Sequence, residues 1–220
     1  MHDSGKSLPA TLMSHHEIGA QYAGILCEQL RGQKIEDVEI DEEIKEMVQQ
    51  AILHHMNHPF LVMLNKGRFP EPENEVDKIV FDADMLANIG FKNVGFRISN
   101  DRMIQEDVKA AQTENIAILE EAFSNVMSGV RQLEGVVLSE QAKNTAHTLI
   151  AETNEIFDYF KQNNIFTKIQ ERFSVGNDFN SGTIEIKGGS EELAKILNEE
   201  ICKAGQELGI DQKIFENFVI

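Results

Sequence analysis

The sequence predicts an all-α protein, a helical bundle followed by a helical C-terminal region. Apolar residues recur at three- and four-residue spacing in one window after another, the period of a helix with one buried face. Capping residues and glycine stops bracket those windows, as at Asp41, Ser139 and Gly209. Only Thr183-Ile184-Glu185-Ile186-Lys187 alternates like a strand, so residues 183–187 are read as a short strand or an extended loop.

The first helix starts near Ser14 and carries Ile18, Tyr22, Ile25, Leu26 and Leu30, with Gly32 as its stop. Arg31 to Glu39 are charged and read as a surface loop. Asp41 opens a second helix with acidic residues in its first turn, where the helix dipole favours them. Its stripe of Ile44, Met47, Val48, Ala51 and Ile52 runs into His54 and His55, and His58-Pro59 ends it. A loop over residues 65–74 follows, with Lys66 and Arg68 as a close basic pair. Val76 to Ile89 reads as a third helix with Ile79, Val80, Ala83, Leu86 and Ala87 inward, and Asp84 falls within that apolar pattern. A carboxylate among core positions is costly unless paired or bound to a cation.

From Asn100 the chain turns to long helices. Ile104 to Val126 mark one, broken at Gly129, and Ser139 caps the next, which runs through Ala142, Ala146, Ile150 and Phe160. Ile165 to Phe173 form a short amphipathic piece. Ser190 starts a last helix, closed by Gly209, and the apolar tail Ile214-Phe215-Phe218 is suited to docking. The natural division is residues 1–98, which hold the chemistry, and residues 99–220, a helical support or oligomer surface.

Composition narrows the function. With 220 residues and 41% hydrophobic content the chain can bury a core. A net charge of −17 argues against nucleic acid as a partner, because affinity for a phosphate backbone rests on clustered Lys and Arg. Solubility explains most of this acidity, and a metal ion can still reverse the local field for a small anion. Cys27 and Cys202 lack CxxC spacing, which suits a reducing cytoplasm. No apolar run approaches ~18 residues, so no membrane span or leader is expected.

Four of the seven histidines lie in two adjacent pairs, His15-His16 and His54-His55. Imidazole nitrogen with carboxylate oxygen makes a donor set for Mn, Fe, Zn, Ni or Mg. Neighbours on a helix point about 100° apart, so His54 and His55 serve different partners: two metals, or a metal and a substrate.

The pieces His2-Asp3-x-Gly5-Lys6, His15-x-x-x-Gly19-Ala20, His54-His55 and Asp82-Ala83-Asp84-x-Leu86-x-Asn88, in that order, resemble the HD-domain metal-dependent phosphohydrolases. The resemblance covers roughly residues 2–98. It implies an HD-like all-helical bundle and one or two divalent ions held by His2, Asp3, His15, His54, His55 and Asp84. By the same resemblance, Lys6 lies near the scissile phosphate and Asn88 near a nucleotide's ribose or base. His16, His58 and Asp82 have no firm counterpart. The family takes a first histidine ligand from upstream of its His-Asp pair, and only Met1 precedes His2, so a truncated start is expected. His147 is the one histidine outside these pieces that can substitute.

The expected activity is metal-assisted hydrolysis of a phosphate ester in a nucleotide or other small phosphorylated molecule. Lys6 and Asp3 are the catalytic candidates, with Glu17 able to move protons and Lys66 and Arg68 able to meet the phosphate. The alternative is a degenerate HD module that binds a ligand or partner without turnover.

Overall fold

The computed structural model describes residues 14–58, 69–91, 93–95, 117–175 and 187–210. Their regular structure is helical apart from a two-stranded antiparallel hairpin, so the architecture is all-α. The chain divides into two compact units, Met1–Leu86 with Val136–Lys143, and Ala87–Gly135 with Asn144–Ile220. The division expected between residues 98 and 99 lies outside the described residues. No described helix is long and apolar enough to cross a membrane.

In the first unit, α1 spans His15–Gln29 and α2 spans Glu42–His54. Asp41 caps α2 as expected, its side chain accepting a hydrogen bond from the Ile44 N–H at 2.9 Å. The two helices meet through Ala20, Ala23 and Ile52, with Val48 and Leu53 packed against them. Small residues on α1 allow this approach. Gln49 lies across Gly24 and donates its amide N–H to the Ala20 carbonyl at 3.1 Å. Tyr22 and Ile25, which helped to signal α1, stand exposed.

Between these helices, β1 (Lys34–Ile35) and β2 (Val38–Glu39) form a hairpin where the sequence suggested a plain loop. Its first turn residue, Glu36, adopts φ 56°, a left-handed conformation that an L side chain resists. Gly32 has φ 73° and ends the turn after α1, the role its position suggested. On the surface, Arg31 pairs with Glu28 at 2.8 Å and with Glu42, and Lys45 reaches Glu28 at 2.5 Å and Glu42 at 2.8 Å. These contacts tie the end of α1 to the start of α2.

The third helix, α3, spans Glu75–Ala87. Its buried face differs from the expected one. Asp77, Phe81, Asp82 and Met85 point inward, whereas Ile79 is 65% exposed and Ala83 and Ala87 are exposed. The buried aspartate of the Asp-Ala-Asp run is therefore Asp82, and Asp84 is half-buried. Asp82 accepts hydrogen bonds from the Leu138 N–H at 2.6 Å, the Ser139 N–H at 2.9 Å and the Ser139 hydroxyl at 2.6 Å. Backbone donors thus satisfy its charge.

The second unit contains α4 (Ala117–Leu133), most of α5 (Glu140–Gln162), α6 (Ile165–Val175) and α7 (Lys187–Leu208). Ser139 caps α5, accepting from the Ala142 N–H at 3.2 Å. Helix α4 continues through Gly129, contrary to the expected break, because one glycine lowers helix propensity by only about 1 kcal/mol and the packed face outweighs it. Phe91, Phe123, Phe160 and Phe166 form the aromatic core, with neighbouring centroids 5.0–6.4 Å apart. Arg172 on α6 clasps α7 through Glu199 at 2.5 Å and Glu200 at 2.8 Å. Lys187 opens α7 three residues before the expected start at Ser190, and residues 183–186 lie outside the described residues.

Candidate metal centre

Four histidines of the first unit are buried, and the helix geometry sends each to a different partner. His15 and His16 open α1, while His54 ends α2 and His55 caps it. Because successive positions diverge by about 100°, the two residues of each pair diverge as well. His15 and His55 come together, with their Nε2 atoms 3.2 Å apart and ring centroids 5.2 Å apart. His55 donates its Nδ1–H to the Ile52 carbonyl at 2.5 Å. A carbonyl can only accept, so His55 carries its proton on Nδ1 and presents the Nε2 lone pair toward His15.

His54 turns the other way. Its Nδ1 lies 2.6 Å from Oδ2 of Asp77, which is fully buried. Asp77 stands in the first turn of α3, and Asn74 caps that turn by accepting the Asp77 N–H at 2.9 Å. The same Oδ2 accepts the Glu73 N–H at 3.1 Å. Burial pushes the Asp77 carboxyl up, but the bonds from His54 and Glu73 outweigh it and hold the group below the usual carboxylate range. The other oxygen, Oδ1, is buried and has no hydrogen-bond partner among the described residues.

His16 packs edge-on against Phe69 with centroids 5.1 Å apart, and its Nδ1 is buried without a hydrogen-bond partner among the described residues. Desolvation lowers its pKa, more than the nearby Glu17 carboxylate raises it, which favours a neutral ring. Glu17 itself is exposed on α1.

Of the residues singled out in the sequence, the structure brings His15 and His55 into contact and gives His54 a carboxylate partner. Asp84 and Asn88 are half-buried, as is His58. His147 is exposed in the second unit, its Nδ1 3.1 Å from Glu134 Oε1. His2, Asp3, Lys6, Lys66 and Arg68 lie outside the described residues. Among the described residues, no group of three or more His, Cys, Asp or Glu converges as a metal site.

Asp77 is the participant that sequence reasoning missed. The signal was Asn74-x-x-Asp77, an N-cap with an acidic residue three positions on. That pattern places a carboxylate at a helix start but says nothing of a histidine 23 positions upstream.

The 3.2 Å separation of the His15 and His55 Nε2 atoms is that of a hydrogen bond between the two rings, and it also falls within the range that two nitrogens on one ion would span. Two imidazole nitrogens bound to one ion at about 2.0–2.1 Å stand roughly 2.9–3.4 Å apart at octahedral or tetrahedral angles. Comparison with protein-family models, curated proteins and solved structures finds no match to this chain.

Proposed function

We propose that the chain is a metal-dependent phosphohydrolase acting on a phosphate ester of a nucleotide or another small phosphorylated molecule. The observation that carries this reading is the buried His15–His55 contact, with Nε2 atoms 3.2 Å apart and His55 fixed in its tautomer by the Ile52 carbonyl. A divalent ion, Mn, Fe, Mg, Ni or Zn, would be held by these two nitrogens; the HD-domain resemblance adds His2, Asp3, His54 and Asp84 as ligands of this ion or of a second one, His54 on a different side of α2 from His55. Such an ion, when bound, lowers the pKa of water and stabilises charge on phosphoryl oxygens.

The chain's own groups supply the remainder. The Ile52 carbonyl keeps the His55 proton off Nε2, so the ring enters the site as a donor without first losing a proton. Burial of His15 and His55 excludes water from competing for those nitrogens. Lys6 is assigned to neutralise the phosphate, Asn88 to contact the sugar or base, and Glu17 to transfer protons. Lys66 and Arg68 are assigned to the outer phosphates. With two half-buried cysteines and no CxxC spacing, the chain suits a reducing cytoplasm.

The test is metal content of protein purified without chelator, followed by phosphate release from a nucleotide panel with Mn²⁺ or Mg²⁺ added. Stoichiometric metal, with turnover that His55→Ala and His15→Ala both abolish, is the expected result. Stoichiometric metal without turnover points to a ligand-binding module. Metal-free protein at millimolar Mn²⁺ overturns the reading.

A further inference from the structure

We propose that α1 and the hairpin after it form a docking surface for a basic amphipathic segment of another protein, a role separate from the chemistry proposed above. Helix α1 turns its small residues inward: Gly19, Ala20, Ala23 and Gly24 are buried. Its large apolar residues stand on the other side, with Ile18 half-buried, Tyr22 47% exposed and Ile25 59% exposed. At spacings of four and three, these residues form one stripe along the helix.

The hairpin repeats the pattern. Ile35 and Val38 lie directly opposite each other across the strands, so their side chains share one face, and they are 54% and 50% exposed. The base of the hairpin is bonded to the end of α1, because the Gln33 N–H donates to the Leu30 carbonyl at 2.9 Å. Leu30 is about 7.5 Å along the helix axis from Ile25, so one bound segment can reach both apolar faces. A hairpin without a buried face contributes little stability, and Glu36 at its turn is held at φ 56°. A partner that covers Ile35 and Val38 offsets both costs.

Charge identifies the occupant. Arg31 and Lys45 are committed to Glu28 and Glu42. That leaves Lys34 against the exposed carboxylates of Glu17, Glu36, Asp37 and Glu39 on these two elements. A second copy of the chain would set like charge against like charge, and anionic lipid would be repelled in the same way. The complementary ligand carries apolar residues on one side, to cover Tyr22, Ile25, Ile35 and Val38, and Lys or Arg along its margin.

The test uses the full nitrogen-15-labelled chain. Its probe is a synthetic amphipathic helix of leucine and lysine, with a helix of leucine and glutamate as the charge-reversed control. The lysine peptide should shift amide signals within residues 17–39, and the glutamate peptide should not bind. Ile25→Gln combined with Val38→Thr should weaken binding roughly tenfold. Ile79→Gln, at an exposed apolar position on α3, should leave it unchanged. Glu36→Gln with Asp37→Asn should weaken it roughly threefold and flatten its salt dependence.

No binding of the lysine peptide, equal binding of the glutamate peptide, shifts outside residues 17–39, or an equal loss in Ile79→Gln overturns the proposal. So does a dimer in sedimentation velocity that Ile25→Gln with Val38→Thr dissociates, which gives the face to a second copy. If that double variant does not fold by circular dichroism, the wild-type shift map decides alone: shifts confined to residues 17–39 support the proposal, and shifts elsewhere overturn it.

Discussion

Asp82 accepts three hydrogen bonds from Leu138 and Ser139, so its buried charge anchors the start of α5 to the first unit. Replacing it with alanine leaves two backbone N–H groups and a hydroxyl of the exposed Leu138 and Ser139 without their carboxylate partner. Asp82→Ala should destabilise the protein by about 2 kcal/mol, since hydrogen bonds to charged groups contribute about 1.5–3 kcal/mol and water can replace the lost acceptor for the exposed donors. Ser139→Ala, which loses the cap and only one of those donors, should cost about 1 kcal/mol. Urea midpoints for the two variants check both the size and the order. A Ser139→Ala effect equal to that of Asp82→Ala would show the backbone bonds to be idle. The sequence announced a carboxylate within an apolar helix but pointed to Asp84. Residues two apart on a helix lie about 200° apart. Periodicity narrows the buried face to an arc, and only the neighbouring chain decides which of two aspartates it holds.

Helices were the most legible elements, because spacing and caps are local properties. Asp41, Ser139, Gly32 and Gly209 all stand at helix boundaries in the structure. The hairpin was not legible, since four strand residues with no buried face leave no alternation of apolar and polar positions. Its turn carries a cost at Glu36, whose φ of 56° suits glycine. Glu36→Gly should raise stability by up to about 1 kcal/mol, the relief of a left-handed L residue less the entropy glycine loses. Thermal unfolding measures the change, and a lowered midpoint contradicts it.

The ion-pair cluster joining α1 to α2 sets a pH dependence at the same scale. Hydrogen bonds from Arg31 and Lys45 hold the Glu28 carboxyl at about 2, against an ordinary 4.5. A carboxyl depressed by folding binds its proton more readily in the unfolded chain. Its contribution is therefore present above pH 4.5 and is lost as pH falls toward 2. Glu28→Gln should lower stability slightly at pH 6, and the gap to wild type should close on acidification, the effect staying small because the pairs are exposed. Denaturant titrations at pH 6 and pH 3, at low and high salt, test the sign.

At the scale of the whole molecule, the second unit depends on its aromatic core. Phe160 is fully buried and touches Phe91, Phe123 and Phe166. Phe160→Ala should destabilise by about 4 kcal/mol through lost burial and the cavity left behind. The first unit is discontinuous in sequence, because residues 136–143 belong to it. A chain ended after residue 98 lacks Leu138 and Ser139, so Asp82 loses the three donors that hold it. That fragment should unfold at lower urea than the full chain, a comparison circular dichroism makes directly.

The sequence by itself determined the helical class, most helix boundaries, the acidity, and the two adjacent histidine pairs. Those properties depend on composition and on residues within a few positions of one another. The tertiary structure alone decided that His15 faces His55, that His54 faces Asp77, and that Asp82 bonds to the start of α5. Each of these contacts joins residues 23 to 57 positions apart. Such contacts depend on how far each helix rotates about its axis when its buried face docks, and no local spacing encodes that rotation.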